Sequence, residues 1–138
     1  MYRILLSLFL SIGFLSASAP RSLTSGTELP ITDALKQEVD QNPKDRFMVI
    51  AYHDRSMHEG ELSNASIKSK ALEDAIAKEY KDKAVVFTID VEGSNVTPEF
   101  LSHEGIPSKL PVYSVYYNGN YIVKNTSTIG DVRSALTE

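Results

Sequence analysis

Six apolar residues in succession, Phe47 to Tyr52, stop at His53-Asp54 and give way to Arg55-Ser56-Met57-His58-Glu59. An unbroken apolar run of this length, without polar alternation, marks a strand covered on both faces, so it predicts the central strand of a sheet. The polar exit then delivers a loop to the sheet edge, and such a loop is where a site sits. The stretch from Phe47 to Glu59, FMVIAYHDRSMHE, organises everything around it.

Ahead of it, Thr32 is suited to cap a helix whose apolar face is Ile31, Leu35 and Val39, with Asn42-Pro43 as its stop. Behind it, Ile67, Ala71, Leu72, Ala75, Ile76 and Tyr80 recur at helical spacing with Lys and Glu opposite, predicting a helix over about 64–80. Ala84 to Val91 is β-branched and apolar enough for a second buried strand, which makes a right-handed βαβ unit with the first. Thr97 with Pro98 behind it predicts a short capped helix to about His103, and Gly105 to Pro111 is a Pro-rich connector. Val112 to Tyr117 and Tyr121 to Lys124 flank Asn118-Gly119, a pair that accepts the positive φ of a tight hairpin turn. Asp131 to Thr137 forms a last helix after Gly130. The order predicts an α/β fold, a small mixed sheet with helices on both faces.

Met1-Tyr2-Arg3, the apolar Ile4 to Leu15 and the small residues Ala17-Ser18-Ala19 together read as a secretory signal over residues 1–19. Residues 20–30, rich in Ser, Thr and Gly up to Thr27, read as a flexible leader, and 31–138 as one domain. The expected address is the periplasm, the ER lumen or the exterior, with no membrane span once the signal is removed. Charged residues make up 23% and the net charge is -4, so the chain has no electrostatic footprint for nucleic acid or an anionic membrane. Partners are therefore expected to be proteins or small molecules, and no cofactor is implied. Of 138 residues none is Cys, which removes disulfides, a thiolate nucleophile and a thiolate metal site. Asn64-Ala65-Ser66, Asn95-Val96-Thr97 and Asn125-Thr126-Ser127 fit the glycosylation sequon.

Two stretches make a resemblance specific. Leu72 to Asp90, LEDAIAKEYKDKAVVFTID, is similar to the long helix and following strand of the thioredoxin family, and Leu110-Pro111-Val112 through Asn118-Gly119 to its proline-plus-hairpin signature. The resemblance spans about Phe47 to Thr137 and implies a thioredoxin-like fold. In that family the helix after the central strand opens with two cysteines two residues apart; here Ser56-Met57-His58-Glu59 falls there, and neither Ser56 nor Glu59 exchanges disulfides. The family's buried acid falls at Ile50, and the connection from Glu59 to Leu72 is several residues longer than usual. Pro111 matches the family's cis-proline, whose preceding residue offers main-chain groups to an extended peptide.

Ser56-x-x-Glu59 reads either as a capping box or as a pair greeting a ligand's polar groups at a helix start. His53, Asp54, His58 and Glu59, with His103 as a third imidazole, bear a metal reading against the plainer one of solvated loop residues. Tyr113, Tyr116, Tyr117 and Tyr121 read as core and sheet-surface aromatics. The first expectation is a redox-inactive module binding an extended polypeptide at Ser56, Met57, His58, Glu59, Leu110 and Pro111. The second is a subunit docking on one fixed protein partner through its edge strand or acidic helix surface. The third is a metal-dependent enzyme using His53, His58 and Glu59.

Overall fold

The computed structural model describes residues 19–24, 29–54, 57–58, 61–62 and 64–137, with 57–58, 61–62 and 64–66 as backbone alone. The elements are β1 (Arg21–Ser22), α1 (Ile31–Gln41), β2 (Phe47–His53), β3 (Met57–His58), β4 (Glu61–Leu62), α2 (Asn64–Glu79), β5 (Ala84–Asp90), α3 (Pro98–Glu104), β6 (Val112–Tyr117), β7 (Asn120–Thr126) and α4 (Ile129–Leu136). Five strands form one sheet in the order β1-β5-β2-β6-β7, and β3 and β4 pair apart from it.

Every residue of β2 is buried, as its apolar run requires. It pairs parallel with β5 from Phe47↔Ala84 to His53↔Asp90, and antiparallel with β6 from Met48↔Tyr116 to Tyr52↔Val112. Side chains alternate between faces along a strand, so the two faces have separate cores. Phe47, Val49 and Ala51 pack with Val86, Val115, Ile76, Ala77, Val132 and Leu136, beneath α2 and α4. Met48, Ile50 and Tyr52 pack with Phe87, Ile89, Val112, Ile31 and Phe100, beneath α1 and α3. Ring contacts lock both layers: Phe47 stacks on Tyr117 at 4.4 Å between centroids, and Tyr52 meets Phe100 at 6.5 Å.

Local chemistry explains most boundaries. Thr97 Oγ1 accepts from Phe100 N at 3.1 Å with Pro98 behind the cap, and Gly105 ends α3 in the left-handed region at φ 69°. Asn118 and Gly119 turn the hairpin at φ 50° and 88°. At α1 the capping position is Pro30 and not Thr32: the Pro30 carbonyl accepts from Asp33 N and Ala34 N, which draws Ile31 into the core as the first helical residue. Gly130 lies inside α4, whose N-cap is Thr128.

The largest departure from the sequence reading is at the N-terminal side. Arg21–Ser22, placed above in a flexible leader, pairs parallel with Phe87–Thr88 as an edge strand. Leu23 is 6% exposed, and Thr24 Oγ1 accepts from Asp90 N at 3.1 Å. Asn95 holds this segment from the far side, its Nδ2 donating to Leu23 O at 3.1 Å and Leu29 O at 2.9 Å. Gly93 makes room for it, since a Cβ there would lie 2.8 Å from Thr24 Cβ and 3.0 Å from the Asp90 carbonyl oxygen. A Gly93→Ala variant is therefore expected to lose about 1–3 kcal/mol. Amide exchange should rise at Arg21 to Thr24 while β2 stays protected; unchanged exchange in β1 would refute this account.

At the opposite edge, β7 carries two register shifts against β6, between Tyr113 and Val115 and between Val115 and Tyr116. Bulges and an exposed Lys124 blunt an edge against pairing with another chain. Among the described residues no helix is long and apolar enough to cross a membrane.

Candidate functional site

The carboxyl ends of β2 and β5 and the start of β6 share one rim of the sheet. Because Tyr52 pairs with Val112, Pro111 follows on beside His53, whose other neighbour is Asp90. The Leu110-Pro111 bond is cis. Leu110 is half-buried against the core beneath α1 and α3, and among the described residues it makes no hydrogen bond. Leu110 thus stands at the point where the central strand ends.

The connector that presents Leu110 is pinned at its origin. Asn125, itself at φ 54°, donates through Nδ2 to Glu104 O at 2.7 Å and Gly105 O at 3.2 Å. Ser114 Oγ, on buried Ser114, donates to Asn125 Oδ1 at 3.2 Å and accepts from Asn125 N at 2.9 Å. The αL conformation of Asn125 aims its amide at the end of α3, and one side chain thereby ties β6, β7 and the connector together. Sequence reasoning singled out Asn125 only as a sequon, although Asn is the non-glycine residue most at ease in that conformation.

The other half of the expected site differs from its alignment. Met57–His58 does not open the long helix; it pairs antiparallel with Glu61–Leu62, Met57 against Leu62 and His58 against Glu61, and α2 begins at Asn64. The additional length of the connection is spent on this ribbon. Ser56 and Glu59 lie outside the described residues, so neither the capping box nor the ligand-greeting pair has a described geometry.

Beneath this rim lies a polar layer that the periodicity missed. On α2 the buried stripe is Ser69, Glu73, Ile76 and Ala77, whereas Ile67, at 54% exposed, Ala71 and Ala75 face outward. A crossover helix runs antiparallel to the strands it joins, so the first half of α2 covers their carboxyl ends. There the sheet itself turns polar: His53 continues the face of Ala51, and Thr88 and Tyr113 are buried on the same side. Ser69 Oγ donates to Glu73 Oε2 at 2.9 Å, and Glu73 is 2% exposed. Glu73 therefore stands inward, where the sequence reading had Glu on the solvated side. A hydroxyl-to-carboxylate hydrogen bond offsets part of the cost of burying that acid.

Of the metal reading, Glu59 and the side chain of His58 lie outside the described residues, so His53, His58 and Glu59 have no described geometry as a set. His53 faces the α2 and α4 side, whereas His103 is exposed on α3 across the sheet. Among the described residues no three His, Cys, Asp or Glu groups converge on a position for a metal ion. The tyrosines divide between roles: Tyr113 is buried, Tyr117 stacks on Phe47, and Tyr116 meets Tyr121 edge-on at 5.3 Å. At the rim itself, Leu110 makes no hydrogen bond among the described residues and its side chain is half-buried.

Neither a protein-family model nor a curated protein sequence matches the chain. Solved structures do. The thioredoxin of Fasciola hepatica superposes with a TM-score of 0.57 at 18% identity, covering 85% of this chain and 96% of that one. The thioredoxin of Schistosoma mansoni gives 0.59 at 15%, covering 88% and 95%. The thioredoxin of Malassezia sympodialis, described as a member of a pan-allergen family, gives 0.57 at 17%, covering 86% and 89%. At these identities the likeness establishes the fold, thioredoxin-like: among the described residues, a mixed five-stranded sheet with four helices. With no cysteine in the sequence, thiol-disulfide oxidoreductase chemistry has no nucleophile.

Proposed function

We propose that this chain is an exported, redox-inactive thioredoxin-like protein that holds an extended polypeptide along Leu110-Pro111 and the neighbouring stretch from Ser56 to Glu59. The observation that carries the reading is the cis Leu110-Pro111 bond beside the end of the central strand, where Leu110 makes no hydrogen bond among the described residues. An extended segment adds to such a position by β-augmentation, in which main-chain hydrogen bonds supply affinity and a side-chain pocket supplies selectivity. Export rests on the basic start, apolar stretch and small residues of 1–19, and directs the protein to the periplasm, the ER lumen or the exterior. Docking of one fixed partner on the outer edge has less support, because the two register shifts in β7 spoil its regularity.

The test is an NMR titration with a reduced and carboxymethylated, permanently unfolded model protein. Amides of Leu110, Val112 and Asp54 are expected to shift. Leu110→Lys, which removes the half-buried apolar contact, should weaken binding about tenfold, the equivalent of burying one such side chain. Binding that leaves these amides unmoved while another surface responds would end the reading.

A further inference from the structure

A groove of about 590 Å³ runs between α1 and α3 and ends on β7, and none of its lining residues belongs to the Leu110-Pro111 segment. Its walls are Leu35 and Val39 from α1, Phe100 from α3 and the ring of Tyr121. This volume falls within the range of small-molecule sites, which pair apolar walls with a few placed polar groups.

The polar group at depth is Glu104. Its side chain is 14% exposed, and Oε1 accepts from the Tyr121 hydroxyl at 2.9 Å, leaving Oε2 with His103 Nε2 at 3.8 Å. Glu99 adds a second carboxylate to the lining. Besides His103, the basic residue of the lining is Lys36, which is turned along its own helix to Asp40 at 2.8 Å, with 76% of its side chain exposed. A molecule seated on the apolar walls therefore meets a carboxylate and not an ammonium. The field of Glu104 extends into the protein: after burial, it is among the causes that raise the hydroxyls of Tyr121 and Tyr52 above the ordinary tyrosine value. The Tyr121 ring already stands at cation–π distance from one cation, Lys124 Nζ at 5.1 Å from its centroid.

We propose that this groove binds a small organic ammonium ion, its apolar body against Leu35, Val39 and Phe100 and its charged nitrogen on Glu104 beside the Tyr121 ring. The carboxylate supplies charge-assisted hydrogen bonding in a partly desolvated place, where such a bond is stronger than on open surface. This proposal stands apart from polypeptide binding at Leu110, and either can fail alone.

Three probes of one shape separate the contributions: 4-phenylbutylamine, 4-phenylbutanol and 4-phenylbutyrate, titrated into the full chain and followed by NMR. The amine is expected to shift Leu35, Val39, Phe100 and Tyr121 and to bind about tenfold tighter than the alcohol, with the carboxylate weakest. Glu104→Gln retains an oxygen to accept from Tyr121 and removes the charge, so it should erase the preference for the amine. Equal binding of all three probes by the unaltered protein, binding of none, or shifts centred elsewhere would overturn the proposal. So would an amine preference that survives Glu104→Gln. The probe comparison needs no variant, so a poorly folding Glu104→Gln leaves the outcome decided.

Discussion

Asn125→Ala is expected to destabilise the fold by about 3 kcal/mol, far more than a half-buried polar residue on an edge strand ordinarily costs. Three losses combine. The carbonyls of Glu104 and Gly105 lose their shared donor, and the hydroxyl of Ser114, 1% exposed, loses its side-chain acceptor. An alanine also tolerates φ of 54° poorly, whereas asparagine adopts it readily. Two further variants apportion the effect. Asn125→Gly relieves the backbone penalty and should recover about 1 kcal/mol. Asn125→Asp keeps the size but replaces the donor with an acceptor facing two carbonyl oxygens, and should be at least as damaging as Ala. Urea denaturation measures all three, and an Asn125→Asp protein as stable as the original would show that the clamp contributes little. Since the clamp also fixes the start of the connector, exchange at Ile106, whose amide donates to the Leu101 carbonyl, should rise before global unfolding does.

The same residue shows where the reading of the sequence stops. Segments whose own residues carry their reason were legible: β2 is bounded as expected because a fully apolar run meets His53-Asp54, and α3 because Thr97 and Pro98 are a local start signal. Asn118-Gly119 likewise specifies its turn without help from the rest of the chain. The α/β architecture with helices on both faces follows from the order of such segments. What failed depends on partners distant in sequence. Arg21–Ser22 is a strand only because β5 leaves an edge beside it, and Asn95 and Gly93 then make room and hydrogen bonds for the segment. On α2 the regular recurrence of Ile67, Ala71 and Ala75 suggested the inward face, yet the surface it covers turns polar at His53, Thr88 and Tyr113, so Ser69 and Glu73 face in. Of the candidate site, the Leu110-Pro111 bond is cis, as the resemblance implied, whereas Met57–His58 belongs to a ribbon that no periodicity announces in two residues.

The separate cores of the two faces bear on what the buried acid of the thioredoxin family would meet in this fold. The position that aligns with it, Ile50, is 1% exposed, pairs with Phe87 and Ser114 on either side, and points to the core beneath α1 and α3, away from Glu73 and His53. Ile50→Asp therefore places a carboxylate among Met48, Tyr52, Phe87 and Phe100, with Ser114, whose hydroxyl is already engaged with Asn125, as its polar neighbour, and is expected to cost about 4 kcal/mol at neutral pH. Burial raises a carboxyl's folded-state value above its unfolded one, so stability is least impaired below about pH 4, where both states are protonated. The loss then grows as pH rises through the raised folded-state value. Ile50→Asn separates the two contributions, since it buries a polar group of similar size that does not titrate and should show a loss independent of pH. Denaturant unfolding of both variants at pH 4 and pH 7, each referred to the unaltered protein, reads the difference. An Ile50→Asp protein that loses nothing between the two pH values would mean that its carboxylate reaches a hydrogen-bonding partner, and that the polar and apolar faces of this sheet are less separate than their packing requires. The expected loss means instead that the core beneath α1 and α3, whose polar neighbour at Ile50 is a Ser114 hydroxyl already engaged with Asn125, does not accommodate a carboxylate.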